Sequence, residues 1–104
     1  MKRILRFNES IRFPKKVSSE EFFKKRSTHK MVDFSYSEEK QIKEILRSKR
    51  YQWSFSNEFF EVFSRPPVEV VKLSDDWFTI IEGNHGPFYI CDELEEVLTY
   101  LRQL

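Results

Sequence analysis

The sequence predicts an α+β fold: a small antiparallel β-meander of three to four strands, packed by a C-terminal helix and a second helix. Three observations carry this. The last third alternates apolar segments with turn residues, VEVVKL (68–73), WFTIIE (77–82) and FYIC (88–91), separated by Ser74-Asp75-Asp76 and by Gly83-Asn84-His85-Gly86. The chain then closes on DELEEVLTYLRQL, where Leu94, Val97, Leu98, Leu101 and Leu104 recur at helical spacing. Upstream, SEEKQIKEILRSKR sets Ile42, Ile45 and Leu46 on one narrow side of a second helix. Strands in succession beside helices that shield one face are an α+β arrangement.

Taken in order, residues 1–17 read as a basic N-terminal arm and residues 18–104 as a single α+β domain. In the arm, Ile4, Phe7, Ile11 and Phe13 are spaced by polar residues, and Pro14 ends any helix; part of it is suited to an edge strand. SSEEFFKKR is a short helix, with Ser18 as cap and Glu21 completing a capping box, and with Phe22 and Phe23 as anchors. Residues 27–36 read as a connector or short strand. In the next helix Ser37 is the expected cap, Glu38 and Glu39 occupy the first turn, and Glu39–Lys43 is an i,i+4 pair. YQWSFS alternates Tyr51, Trp53 and Phe55 with polar residues, the pattern of a half-buried strand. Residues 57–64 fit helix or strand equally, and Arg65-Pro66-Pro67 breaks the chain. In the last helix Asp92 is the expected N-cap, with Glu95 at the capping-box position.

Composition narrows the function classes. At 104 residues one core suffices, and eleven Phe, four Tyr and two Trp supply its large buried surfaces. A single Cys excludes an intrachain disulfide, and no apolar run approaches membrane length, so the chain reads as soluble and cytoplasmic with no membrane partner. Net charge is +1, but its distribution is uneven. Residues 1–30 hold ten Lys/Arg against three Asp/Glu, residues 31–67 six of each, and residues 68–104 two against eight. Carboxylates at turns and at a helix start, with a weakly anchored arm, predict basic and acidic ends on separate faces.

The stretch GNHGPFYICDELEE gathers His85, Cys91, Asp92 and Glu93, residue types that bind metals and move protons. Spacing argues against a shared site. His85 lies in a hairpin turn and Cys91 at the far end of the next strand, more than about 10 Å away at ~3.3 Å per residue. Asp92 and its neighbouring glutamates are accounted for by a helix start. His29 and His85 lack zinc-motif spacing, and the two glycines form no phosphate-binding loop. No catalytic set, cofactor or metal site is therefore expected. Two features point instead to binding. RSKRYQWSF runs Arg47, Lys49 and Arg50 into Tyr51 and Trp53, a juxtaposition that single-stranded nucleic acid exploits. The arm supplies Arg3, Arg6, Arg12, Lys15 and Lys16, fit to touch nucleic acid or an acidic protein.

Two resemblances complete the reading. MKRILRFNES and LSDDWFTIIEGNHGPFYICDELEEVLTYL resemble the openings and endings of small tailed-bacteriophage proteins, about a third of the chain. That resemblance implies a phage protein working inside a bacterium. GPFYICDELEEVLTYL is also similar to the end of SH2 domains, but the phosphate-gripping Arg of that family has no counterpart here, so its function is not carried over. The expectation is a non-enzymatic interaction or regulatory module with a protein partner. The alternative is a nucleic-acid-binding module using the basic arm and the Arg/aromatic strand.

Overall fold

The computed structural model describes residues 13–56 and 58–104; Arg3, Arg6 and Arg12 lie outside them. Six antiparallel strands form one sheet: β1 (Lys15–Val17), β2 (Trp53–Ser56), β3 (Phe59–Val62), β4 (Val68–Lys72), β5 (Phe78–Glu82) and β6 (Phe88–Cys91). Their spatial order is β1-β6-β5-β4-β3-β2, a meander from β2 to β6 with β1 added beside β6. Among the described residues three α-helices accompany the sheet: α1 (Ser19–Thr28), α2 (Tyr36–Ser48) and α3 (Leu94–Arg102).

The α+β class stands, but six strands replace the three or four expected. The first addition is β3. Within it Phe60 and Val62 are buried while Glu61 between them is exposed, a period of two that three clustered Phe had obscured. The second is β1, which carries no hydrophobic signal of its own. Its backbone pairs with β6, Lys15 opposite Ile90 and Val17 opposite Phe88, so the sheet begins inside the segment read as an arm.

Register assigns the two faces. Across the sheet Phe55, Phe60, Val70, Ile80 and Tyr89 are successive partners and therefore share one face. There α2 and α3 close the main core, with Ile42, Leu46, Val97, Leu98 and Leu101 buried against the strands. On the other face Val71, Thr79 and Phe88 are also buried, and α1 packs there, its Phe22 ring 4.8 Å from that of Phe88. Phe23, also expected as an anchor, remains 56 % exposed, because consecutive helical positions point about 100° apart. Toward β2 this second face is open: Ser54, Ser56 and Glu61 are exposed.

Caps hold the helices in place. Ser18 and Glu21 form the capping box expected for α1. For α2 the cap is Ser35 rather than Ser37; its side chain meets the Glu38 N–H while Glu38 accepts the Ser35 N–H at 2.8 Å. Glu38 can serve a cap only three residues before itself, which selects Ser35. Asp92 does not cap α3. Glu93 is the N-cap residue, without a side-chain cap bond, and the Glu96 carboxylate accepts the Asp92 N–H instead.

Basic and acidic segments meet rather than part over the described residues. Burial of Phe22 lays α1 along the sheet, bringing Arg26 to 3.5 Å from Glu69 and His29 to 3.8 Å from Asp75. On the same face of the sheet, the buried Thr79 Oγ1 has no hydrogen-bond partner among the described residues. A stranded hydroxyl retains its desolvation cost, so Thr79→Val should stabilise the domain by about 1 kcal/mol. Thermal melting should show a rise of roughly 4–8 °C; a fall would mean that the hydroxyl is satisfied.

Candidate functional site

The residues singled out for binding are divided between the two ends of the sheet. Arg47, Lys49, Arg50, Tyr51 and Trp53 gather where α2 runs into β2, whereas Lys15 and Lys16 lie on β1, at the opposite edge. They do not form one surface.

At the β2 end, Tyr51, Trp53 and Phe55 are half-buried and pack against the main core. Their outer surfaces carry cations from α2: the Arg47 guanidinium is 5.7 Å from the Trp53 ring centre and the Lys43 ammonium 4.8 Å from that of Phe55. Lys49 donates to the Arg102 carbonyl at 2.8 Å, tying the end of α2 to the end of α3. Arg50 is exposed at a φ of 62°, in the turn that redirects the chain from helix to strand.

At the β1 end there is a cleft of about 380 Å³ between α1, β1 and the start of β5. Phe13, Val17, Trp77 and Ile90 give it apolar walls, and Phe13 is 55 % exposed. Its charges are of both signs, Lys15 and Lys25 against Glu21, Asp92 and Glu96. The Lys25 ammonium sits 3.6 Å from the Trp77 ring centre, a cation–π contact that fixes one wall. Sequence reasoning took Trp77 only as the first residue of the strand WFTIIE and gave it no binding role. Its place in the cleft follows from α1 lying over the sheet and β1 pairing with β6, both long-range events without a local signal.

Burial suppresses ionisation of the thiol and phenol groups on β6 and α3. Cys91 is buried, and burial pushes its thiol up, with the charges of Glu96 and Asp92 adding to the effect, so a thiolate is suppressed. The Tyr100 hydroxyl donates to Glu82; burial and that carboxylate hold its proton well beyond the usual tyrosine range. Burial and Glu82 act on Tyr89 in the same direction. His85 is exposed in its turn. Among the described residues no three His, Cys, Asp or Glu converge as metal ligands, and no helix is long and apolar enough to cross a membrane.

Comparison with protein-family models, with curated proteins and with solved structures finds no match to this chain.

Proposed function

We propose that the protein is a small non-enzymatic interaction module that takes a protein segment at the cleft between α1, β1 and Trp77. The observation that carries this reading is the cleft's mixed lining: aromatic and aliphatic side chains together with lysines and carboxylates. Apolar walls interspersed with charges of both signs suit a peptide side chain with neighbours of either charge. Glu21 would repel the phosphates of a nucleic acid. The other candidate surface favours nucleic acid less than its sequence did. Bases need open aromatic faces for stacking, and Tyr51, Trp53 and Phe55 are half-buried with two of the rings already paired to cations. In the context that the phage resemblance implies, the partner is a host or phage protein in the bacterial cytoplasm.

The test is capture from bacterial lysate with and without nuclease, using the wild-type chain and Phe13→Glu. Phe13 is exposed, so the variant should melt at the wild-type temperature. Nuclease-resistant capture that Phe13→Glu abolishes is the expected result. Capture lost on nuclease treatment and steeply weakened by salt would replace this reading with the nucleic-acid one.

A further inference from the structure

Charges of both signs line the cleft, but they are not equally engaged. Glu21 and Lys25 stand one helical turn apart on α1, the spacing at which opposite charges pair. They do not pair. The Glu21 carboxylate turns back to the Ser18 N–H and completes the capping box, while the Lys25 ammonium turns to the Trp77 ring. Glu96 accepts the Asp92 N–H at 3.2 Å, and Asp92 is likewise engaged within the chain. Among the described residues neither Lys15 nor Lys25 forms an ion pair, although three carboxylates line the same cleft. The contact with Trp77 holds the Lys25 ammonium in place without removing its charge.

The hollow continues along α1. A second space of about 260 Å³ shares Glu21, Lys25 and Ile90 with the cleft and adds Lys24, which is exposed and also without an ion pair among the described residues. Ile90, the strand partner of Lys15, lines both spaces. Apolar groups lie close to these cations. Phe13 and Val17 stand two residues to either side of Lys15, and all three line the cleft. The main chain of β1 offers a ligand less. Pro14 has no N–H and the Ser18 N–H is taken by Glu21, so an added strand would find a short, interrupted edge. Recognition therefore falls to side chains.

We infer that the segment held at this cleft is acidic. An Asp or Glu carboxylate of the partner pairs with Lys15 and Lys25, and an aliphatic or aromatic neighbour lies against Phe13, Val17 and Ile90. This names the chemistry of the partner at the peptide cleft and rests on that reading of it. A carboxylate shared by two ammonium groups gains from both, and the apolar walls strengthen each contact by excluding water. It also asks less of the cleft than a nucleic acid does. One carboxylate places a single charge among the lysines, whereas a nucleic-acid chain brings a charge with every nucleotide toward Glu21.

Selection from a library of random linear peptides tests this, with the wild type, Lys15→Glu and Phe13→Ser as baits. Lys15 and Phe13 are both exposed, so each variant should melt at the wild-type temperature. The wild type should enrich sequences with Asp or Glu beside an aliphatic or aromatic residue. Lys15→Glu should lose that enrichment and gain sequences with Lys or Arg in place of the acid. For a peptide so enriched, exchanging the acid for its amide should weaken binding about fivefold or more, and Lys24→Glu in the protein should do the same. Acidic sequences that bind Lys15→Glu as well as the wild type would overturn the inference. Enrichment of basic or uncharged sequences that Phe13→Ser abolishes would also overturn it, while leaving the cleft a peptide site. Enrichment indifferent to both substitutions, or none at all, would remove the inference and the peptide site together.

Discussion

Phe60→Ala is expected to destabilise the domain by about 3–5 kcal/mol, the usual range for a buried aromatic truncated to its Cβ. Phe60 has no solvent exposure and sits between Phe55 and Val70 in the sheet. Its ring centre lies 4.4 Å from that of Phe55 and 5.3 Å from that of Phe34, which descends from the loop before α2. Removing it would leave a cavity that β2, α2 and that loop cannot all close at once. Against a total stability of about 5–15 kcal/mol for such domains, the variant could be barely folded at room temperature. Urea unfolding gives the value as a shift of midpoint with little change of slope. Phe63→Ala is the control: this ring is 51 % exposed, and its loss should stay within about 0.5 kcal/mol. Comparable losses for the two would place the core elsewhere.

Glu38→Ala should cost about 3–5 kcal/mol, through a different mechanism. Lys72 rises from the core face of β4, and its ammonium meets the Glu38 carboxylate at 2.7 Å, with side chains only 11 % and 17 % exposed. Removing the carboxylate would leave a largely buried cation with only the longer, solvent-exposed contact to Asp76 at 3.8 Å, and would release the Ser35 N–H at the start of α2. Lys72→Met should cost less than Glu38→Ala, because methionine fills similar space without a charge to strand. The pair also sets a pH dependence. Burial raises the Glu38 pKa, but the Lys72 hydrogen bond and the Ser35 N–H outweigh it and hold the group below its ordinary 4.5. A folded carboxyl that binds its proton less readily than the unfolded one contributes fully above about pH 4.5, and that contribution fades as pH falls through the lowered value. Urea midpoints across an acid series should therefore fall more steeply for the wild type than for Glu38→Gln. Parallel curves would show that the pair contributes nothing to acid stability.

Features written locally were legible in the sequence, and features written by long-range contact were not. The Ser18–Glu21 capping box, the Glu39–Lys43 pair at 2.6 Å and the buried Leu98 and Leu101 stripe each depend on residues within a turn or two of one another. The strands β4, β5 and β6 announced themselves through β-branched and aromatic runs between turn residues. By contrast, KKV is a strand only because Ile90 and Phe88 accept it as a neighbour. The cap of α2 was misplaced by two residues because two serines and two glutamates crowd residues 35–39 around Tyr36, and only the reach of Glu38 decides among them. For the candidate site, the basic and aromatic residues of 47–53 were found together because they adjoin in sequence. The cleft was not, since its walls come from α1, β1, Trp77 and β6, which no pattern along the chain unites.

The pairing of β1 with β6 bears on how the chain is made. Translation delivers Lys15–Val17 about seventy residues before their partners Phe88–Ile90. Until β6 has left the ribosome, β1 has no neighbour, and Phe22 of α1 lacks the Phe88 ring it packs against. The nascent chain must therefore carry α1 with Phe22 unsheltered until β6 follows, while the β2–β3–β4 hairpins assemble beside it. Closure waits for β6, which supplies at once an edge for β1 and a floor for α1. Such late, sequence-distant closure slows folding. It also makes a ribosome stalled before residue 88 a producer of sticky fragments.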